Sequence, residues 1–591
     1  MGQGTPVTAP VTAPCSAPVT LRRRTLLAGA AGLPFAGCAP AAPALYTGGW
    51  VGADAQRGHR LRDRKAAGLP APEWQGRAGV IVVGAGISGL AAARALSRTG
   101  VDDVQVFDLE DTAGGNSRGH RLAGMACPLG AHYLPLPGER AVEVIELLEA
   151  LGLRRTERGV PVYDERYLCH SPQERLFIAG HWHEGLLPPV EALPAAERER
   201  TLAQYRKFGT LVEAAGAGGA FAMPTARCAW RTHRDALDAL DAIAFAPWLA
   251  AQGIDAPALR WYLDYCCRDD YGAGARHVSA WAGLHYFASR HGFRAPQDTP
   301  NRSPNESPPE REGVFTWPEG NAWLARRMAE PLGARLHTGQ VVLRVSEGRG
   351  GVSVDTWNAR AQRSERWTAA QAVLAVPLFI AARLLDAPPA ALTQAVATMR
   401  HAPWLVGNLH LAAALDDHPG APPSWDNVVY DPARAAGAVP ASLGYVDAMH
   451  QSTRSVPGAT VLTAYWALGG DTPGQLFAQR ARLLNEPWSA WAQAVVQDIA
   501  HVHPDLPSKL KQVDLMRYGH AMSVPAPGLR SSAALRALAE PHGSPDSTPA
   551  GRVRFAHSDL SGYSVFEEAL YQGTRSGTAA SAVLRRDTRA R

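Results

Sequence analysis

Hydrophobic positions recur in two forms along this chain: short β-branched runs bounded by glycine, and longer stretches with helical spacing. Val80–Val83 is an uninterrupted apolar run that ends at Gly84-Ala85-Gly86, and apolar positions of helical period follow from Ile87. A second run, Val104–Phe107, closes on Asp108. Ala141–Leu151 predicts an amphipathic helix, and Ala195–Ala217 and Leu237–Ala251 predict two more with alternating basic and apolar faces. Trp261–Gly292 is dense in aromatics, whereas Gly292–Glu312 is polar and rich in proline, and reads as a mobile loop or lid. Val341–Val345 and Gly351–Trp357 predict a hairpin and Ala372–Pro377 a short buried strand. Leu405–Leu411, Ala441–Val446 and Thr460–Leu468 predict strands, followed by a helix at Trp488–His501. Arg554–Gly577 reads as strand, glycine-containing loop and helix, and the aperiodic residues 45–78 as a lead-in tracking the surface.

Strands interleaved with helices predict an α/β protein with a Rossmann-like dinucleotide domain. In the first strand–turn–helix, Gly84 permits the tight turn, Gly86 lets a pyrophosphate approach the backbone, and Gly89 lets helix and strand pack closely. Ser88 lies in the same turn, so the helix N-terminus faces the phosphates. About twenty residues on, Asp108 ends the second strand where a carboxylate accepts from a ribose hydroxyl.

Composition narrows the classes. With 591 residues, 46% hydrophobic and 19% charged, the chain reads as globular with several domains. A net charge of +5 without basic runs among aromatics excludes nucleic acid as a partner. The irregular cysteines Cys127, Cys169, Cys228, Cys266 and Cys267 lack CxxC spacing, so no metal ligand set is implied. Arg22-Arg23-Arg24-Thr25-Leu26-Leu27 and the apolar stretch to Ala36 resemble a twin-arginine export signal, a route that carries folded, cofactor-loaded proteins to the periplasm. Phe35-Ala36-Gly37-Cys38 resembles a lipoprotein box, which would anchor the chain to a membrane through a lipid on Cys38. Ordinary cleavage near Ala42-Pro43-Ala44 is the alternative.

The glycine fingerprint, Asp108, the paired Gly114-Gly115 and the loop Gly130-Ala131-His132-Tyr133 together resemble the flavin-containing amine oxidase (monoamine oxidase-like) superfamily, relatives of protoporphyrinogen oxidases and carotenoid desaturases. The segment Phe315–Leu324, with its Pro-x-Gly-x-x-x-Leu pattern, and the closing Arg554–Gly577 extend the resemblance to the C-terminus. It implies FAD. Arg118 stands in for the arginine that commonly follows the paired glycines directly, where this chain has Asn116. The backbone at Val341-Val342 would meet the adenine side, and Asp559 matches the acid that reaches the flavin, although His557 replaces a glycine. Val565 holds the position that usually carries a cage tyrosine. No cysteine follows Cys267, so FAD is expected to be noncovalent. Trp404–Leu409 lacks the lysine that oxidases of the group place near the flavin, which favours electron transfer to a quinone or cytochrome acceptor.

The implied reaction is oxidation of a C–N bond of an amine or polyamine by hydride transfer to flavin N5. C–C desaturation of an apolar substrate and a non-catalytic flavin-bearing binding role are the alternatives; Asp264, Asp269 or Asp270 in the cavity would favour amines. Trp281, His285, Tyr286, Trp404, Tyr445 and His520 are candidate cavity residues, with structural packing as the other reading of each. The expected organisation is a signal over 1–44, a discontinuous FAD-binding domain over 45–150, 313–397 and 536–591, a helical insert over 151–312 and a substrate-domain sheet over 398–535.

Overall fold

The apolar run predicted at Val80–Val83 is the buried end of a longer strand, Trp74–Val83, at the centre of a seven-stranded sheet. The computed structural model describes residues 46–230, 232–290, 292–295, 313–431, 442–454, 456–470, 472–539 and 551–589. The export signal, Cys38 and most of the 292–312 loop lie outside the described residues. Trp74–Val83 pairs in parallel with Val104–Asp108 on one side and Arg363–Leu374 on the other. Val80, Ile81 and Val82 have no exposed surface, as expected for a parallel strand covered on both faces. Leu336–Thr338 extends the parallel part beyond Val104–Asp108, and Val553–Phe555 adds beside Leu374. The other half of Arg363–Leu374 turns into an antiparallel meander with Gly351–Asn358 and Gln340–Gly348. Three distant stretches of chain thus build one sheet.

Glycine sets how closely its helices approach. Gly84 has φ +97°, and a Cβ on Gly89 would stand 1.8 Å from the Gly84 carbonyl oxygen, so the helix Ile87–Arg98 lies against its own strand. The C-terminal helix Phe566–Arg589 crosses on the other side, where a Cβ on Gly573 or Gly577 would meet the carbonyl oxygens of Ser88 and Ala92 at 2.0 and 2.3 Å.

A second, eight-stranded sheet runs in the order Thr47–Trp50, Leu510–Ser523, His401–Leu411, Thr460–Ala467, Ser442–Asp447, Asp426–Val429, Glu174–Ile178 and His181–Glu184. The helices Ala195–Gly216, Arg234–Ala242, Phe245–Ala251, Pro257–Tyr271 and Ala280–Ala288 contribute to its largest apolar core. Several expectations change here. The stretch from Leu237 to Ala251 is two helices, because Ile243 and Ala244 are drawn into extended backbone: Ala280 N–H donates to Ile243 O and Phe245 N–H to Val278 O, both at 2.8 Å. The insert is not purely helical, since its hairpin Glu174–Glu184 completes the second sheet. The lead-in is structured as the edge strand Thr47–Trp50 and the helix Ala55–Ala67. An edge strand held by backbone pairing to Leu510–Ser523 needs no side-chain period to betray it.

Glycine packing generates a pair of contrasting substitutions. Gly573→Ala is expected to lower unfolding stability by about 1–3 kcal/mol through overpacking against Ser88. Gly58→Ala, in a helix where nothing lies within 4 Å of its Cβ, is expected to raise it by about 0.5–1 kcal/mol. Urea melts of both variants check this, and the reverse order would refute the packing.

Candidate functional site

Where the strand Trp74–Val83 ends, the helix Ile87–Arg98 starts at Gly86 without a side-chain cap, leaving first-turn N–H groups unclaimed by any side chain. A Cβ on Gly86 would meet nothing nearer than Gly115 Cα at 3.8 Å, so the backbone here faces open space. Gly114 and Gly115 hold φ of +127° and +58°, and Gly114 N–H donates to Ala85 O at 2.8 Å, fastening the second glycine pair beside the first. Asp108 is buried and accepts from the N–H groups of Ala85 (2.8 Å) and Glu110 (2.9 Å), with a lone pair left on each oxygen for a hydroxyl. Burial pushes its carboxyl up, and those two hydrogen bonds oppose the rise. Arg118 donates to Gly115 O (3.1 Å) and Gly52 O (2.7 Å) and stands 3.7 Å from Glu110. Val342 is buried at a slip of register in the Gln340–Gly348 strand. A bare helix start, a bridge between two glycine pairs and an acid at a strand end fit the pyrophosphate and ribose of a dinucleotide such as FAD.

The loop Gly130-Ala131-His132-Tyr133 joins this cradle to a group of partly buried polar and aromatic side chains. Ala131 N–H donates to Asn116 O at 2.8 Å, and the Tyr465 hydroxyl donates to Gly130 O at 3.0 Å. The His132 ring stacks on Tyr465 with centroids 4.2 Å apart, and burial pulls its imidazole down to about 3, so it is neutral. The Tyr133 hydroxyl donates to Asp269 Oδ2 at 3.1 Å. Asp269 is surrounded by protein yet is only partly buried. Burial and then the neighbouring Asp270 push its carboxyl up to about 7. Asp426 pairs in register with Glu174 on adjacent parallel strands, and burial, Glu174 and Asp269 hold its carboxyl well above the carboxylate range.

The three acids considered at the end of Pro257–Tyr271 differ in one respect. Asp264 pairs with Arg268 at 3.0 Å, and Asp270 with Arg290 at 3.0 Å, whose guanidinium also stands 3.6 Å from Glu567. Among the described residues no cation makes a direct ion pair with Asp269 or Asp426, although the charge of Arg290 acts on Asp269. Tyr262, Tyr265, Cys266 and Asp269 share one stripe of their helix at spacings of three and four, a periodic signal already present in the sequence. Asp426 sits in a short strand with no such signal.

The other expected residues are dispersed. Trp281 and His285 have no exposed surface; they belong to the solid core, where His285 Nε2 meets Ala222 O at 3.0 Å. Tyr286 keeps accessible surface and couples electrostatically to Tyr133, Tyr262 and Asp269. Trp404 is buried against Gly272 and lies edge-on to Tyr465. The Tyr445 hydroxyl is bonded to His503 at 2.6 Å and lines a separate pocket with Trp261, Tyr265 and Asn427, none of them in the seven-stranded sheet. His520 packs on Phe379 with centroids 4.7 Å apart. Asp559 is fully buried and accepts from Leu378 N–H at 2.8 Å, with His401 Nε2 at 3.2 Å and His557 Nδ1 at 3.2 Å. Burial alone would raise its carboxyl, but His557 and His401 hold it well below the usual range. Val565 packs on the edge of the main core beside the N-terminus of the last helix.

Known proteins share this fold. The family model for flavin-containing amine oxidoreductases matches residues 87–583. The chain is 39% identical over 59 residues to Polyamine oxidase 7 of Oryza sativa subsp. japonica, covering 10% of this chain and 12% of that protein. It is 40% identical over 77 residues to tryptophan 2-monooxygenase of Allorhizobium ampelinum, covering 12% and 10%. It therefore spans a small fraction of the length of the curated relatives it matches. Putrescine oxidase bound to putrescine superposes with a TM-score of 0.56 at 19% identity, over 86% of this chain and 100% of that one. Cyclohexylamine oxidase from Brevibacterium oxydans gives 0.57 at 19% identity, over 86% and 99%. A fatty acid isomerase from P. acnes gives 0.55 at 14%, over 84% and 97%, so the fold alone does not select a substrate. A family match over most of the length, on an α/β frame of Rossmann-like design with its helix start bare for an anion, means that this chain belongs to the flavin-containing amine oxidoreductases and is an FAD-dependent oxidoreductase.

Proposed function

We propose that this enzyme oxidises a C–N bond of a cationic amine, with a diamine or polyamine as the best fit. The observation that carries the reading is Asp269, held by Tyr133 inside the protein without a cationic partner among the described residues. A buried carboxylate is costly until a cation meets it, and an entering ammonium offsets that cost. Asp426, beside Glu174, supports a second ammonium on the same substrate. Bound FAD supplies the two-electron acceptor. The chain's own part is to bind, orient and dry the donor: Asp269 receives the ammonium and takes a proton from it, leaving the neutral amine that C–N oxidation requires. The Tyr133 ring stands at this carboxyl, with neutral His132 edge-on to it. These acids weigh against the apolar-substrate alternative.

Three further parts belong to the proposal. FAD is held noncovalently, electrons leave to a quinone or cytochrome acceptor because the strand His401–Leu411 carries no lysine, and the arginines at 22–24 direct export to the periplasm, with lipidation at Cys38 an open branch. The noncovalent part has a direct check: acid precipitation of the yellow protein is expected to leave the flavin in the supernatant, and flavin retained in the pellet would refute it.

Anaerobic mixing of the flavin-loaded protein with donors tests the substrate class. Putrescine and spermidine are expected to bleach the flavin band faster than monoamines. Failure of every amine to bleach it would sink the reading. Asp269→Asn is expected to keep its flavin and lose about 100-fold in kcat/KM for diamines, the loss of one charged hydrogen bond of about 3 kcal/mol.

The same variant has a pH signature. A carboxyl raised from 3.8 to about 7 favours the folded state when protonated, so that contribution is present below about 4 and is lost as pH rises through 7. Asp269→Asn is therefore expected to melt higher than the parent at pH 8, with the gap closing by pH 4. The rising limb of kcat/KM near pH 7 should vanish in the variant; a limb that persists would place the titrating group elsewhere.

A further inference from the structure

At the far end of the eight-stranded sheet, away from the dinucleotide cradle, three polar atoms are buried without a hydrogen-bond partner: His418 Nε2, His503 Nδ1 and Asp505 Oδ1. Buried polar groups in folded proteins nearly always find partners, so three orphans at one point need an explanation. The side chains of His418, His503 and Asp505 offer ligand atoms that all lie within 4.8 Å of one another. His503 is 1% exposed, and its Nδ1 is buried with no hydrogen-bond partner.

The surroundings hold each ligand in place by its other atom. His503 Nε2 shares a 2.6 Å hydrogen bond with the Tyr445 hydroxyl; with the proton on Nε2, Nδ1 presents its lone pair inward. Its ring stacks on Trp182 with centroids 5.8 Å apart. Asp505 Oδ2 is occupied by Lys509 Nζ at 2.8 Å and by Asp416 N–H at 2.8 Å, which leaves Oδ1 as the free oxygen. The loop bearing His418 is tied to the neighbouring strand by Trp182 N–H to Pro419 O at 3.1 Å and Ala421 N–H to Trp182 O at 2.8 Å.

We propose that His418, His503 and Asp505 bind a divalent transition metal of the zinc type. Two imidazoles and a carboxylate are a zinc donor set, with water in the fourth position. Tetrahedral coordination brings ligand atoms to about 3.4 Å apart, a closure of at most about 1.4 Å from the present spread. The ion joins the connection after His401–Leu411 to the turn after Trp488–Ala500, two stretches far apart in sequence, and its role is to clamp the outer end of the sheet. Cysteine spacing gave no hint of it, because the ligands are histidine and aspartate from separate loops.

Elemental analysis and zinc titration of the full-length, flavin-loaded protein, after chelator stripping, test the site. Uptake of about one zinc per chain, surviving gel filtration and raising the melting temperature, is expected. His418→Gln and Asp505→Asn should each lose the bound ion while flavin content and amine-driven flavin bleaching stay at parent levels. Cobalt substitution of the unmutated protein should give visible bands of a tetrahedral nitrogen and oxygen site, a readout that holds even where a variant fails to fold. Absence of any stoichiometric uptake, with no cobalt bands, would overturn the proposal and leave a water molecule as the occupant. Undiminished binding by both variants would overturn it as well.

Discussion

Backbone-to-backbone contact at the helix Ile87–Arg98 is the constraint on which the rest of this protein depends. Gly89 lies against Gly84 on one side, and Gly573 and Gly577 lie against Ser88 and Ala92 on the other. No side chain larger than hydrogen fits at these crossings. The helix is thereby fixed with its uncapped start pointing out from the strand Trp74–Val83, and Gly114 N–H on Ala85 O carries that geometry to the second glycine pair. From there the Asn116–Ala131 hydrogen bond and the loop through Tyr133 set where Asp269 stands. A chain of short, mostly backbone contacts connects the dinucleotide cradle to Asp269.

The electrostatics of the interior sort into two kinds. Arg290 pairs with Asp270 and also stands near Glu567, and Glu568 is satisfied by Thr225, Ser561 and Tyr563. These groups join the last helix to the insert and hold the wall rigid. Asp269 and Asp426 are left without such partners, and burial raises both. A fold gains nothing in stability from buried acids of this kind, and in the proposed reading a bound cation offsets that cost. The buried histidines His132 and His285 show the opposite treatment: burial holds both imidazoles down to about 3, and they behave as neutral rings.

Much of the frame was legible in the amino-acid order. Val80–Val83, the three glycines, Asp108, the hairpin after Val341 and the helix after Trp488 all appear where their local patterns put them. What escaped was held by pairing rather than by pattern: the edge strand Thr47–Trp50, the break at Ile243-Ala244, and the long strand Leu510–Ser523, whose burial does not alternate cleanly. The candidate site was legible only in part, because an aromatic in a helix carries the same residue type whether it keeps accessible surface, as Tyr286 does, or fills a core, as Trp281 does.

Asp269 and Asp270 state the division most simply. They are adjacent, chemically identical and on one helix, and the helical period that sets their faces does not say which of them meets a cation. Arg290 pairs with one and leaves the other to Tyr133, a choice made by how distant segments pack. Asp426 meets Glu174, and His418 meets His503 and Asp505, for the same reason. Sequence alone determined the dinucleotide unit, since steric freedom at glycine and β-branched propensity act within a few residues. Tertiary structure alone decided which charges stay unpaired, since burial and pairing belong to no single stretch of chain.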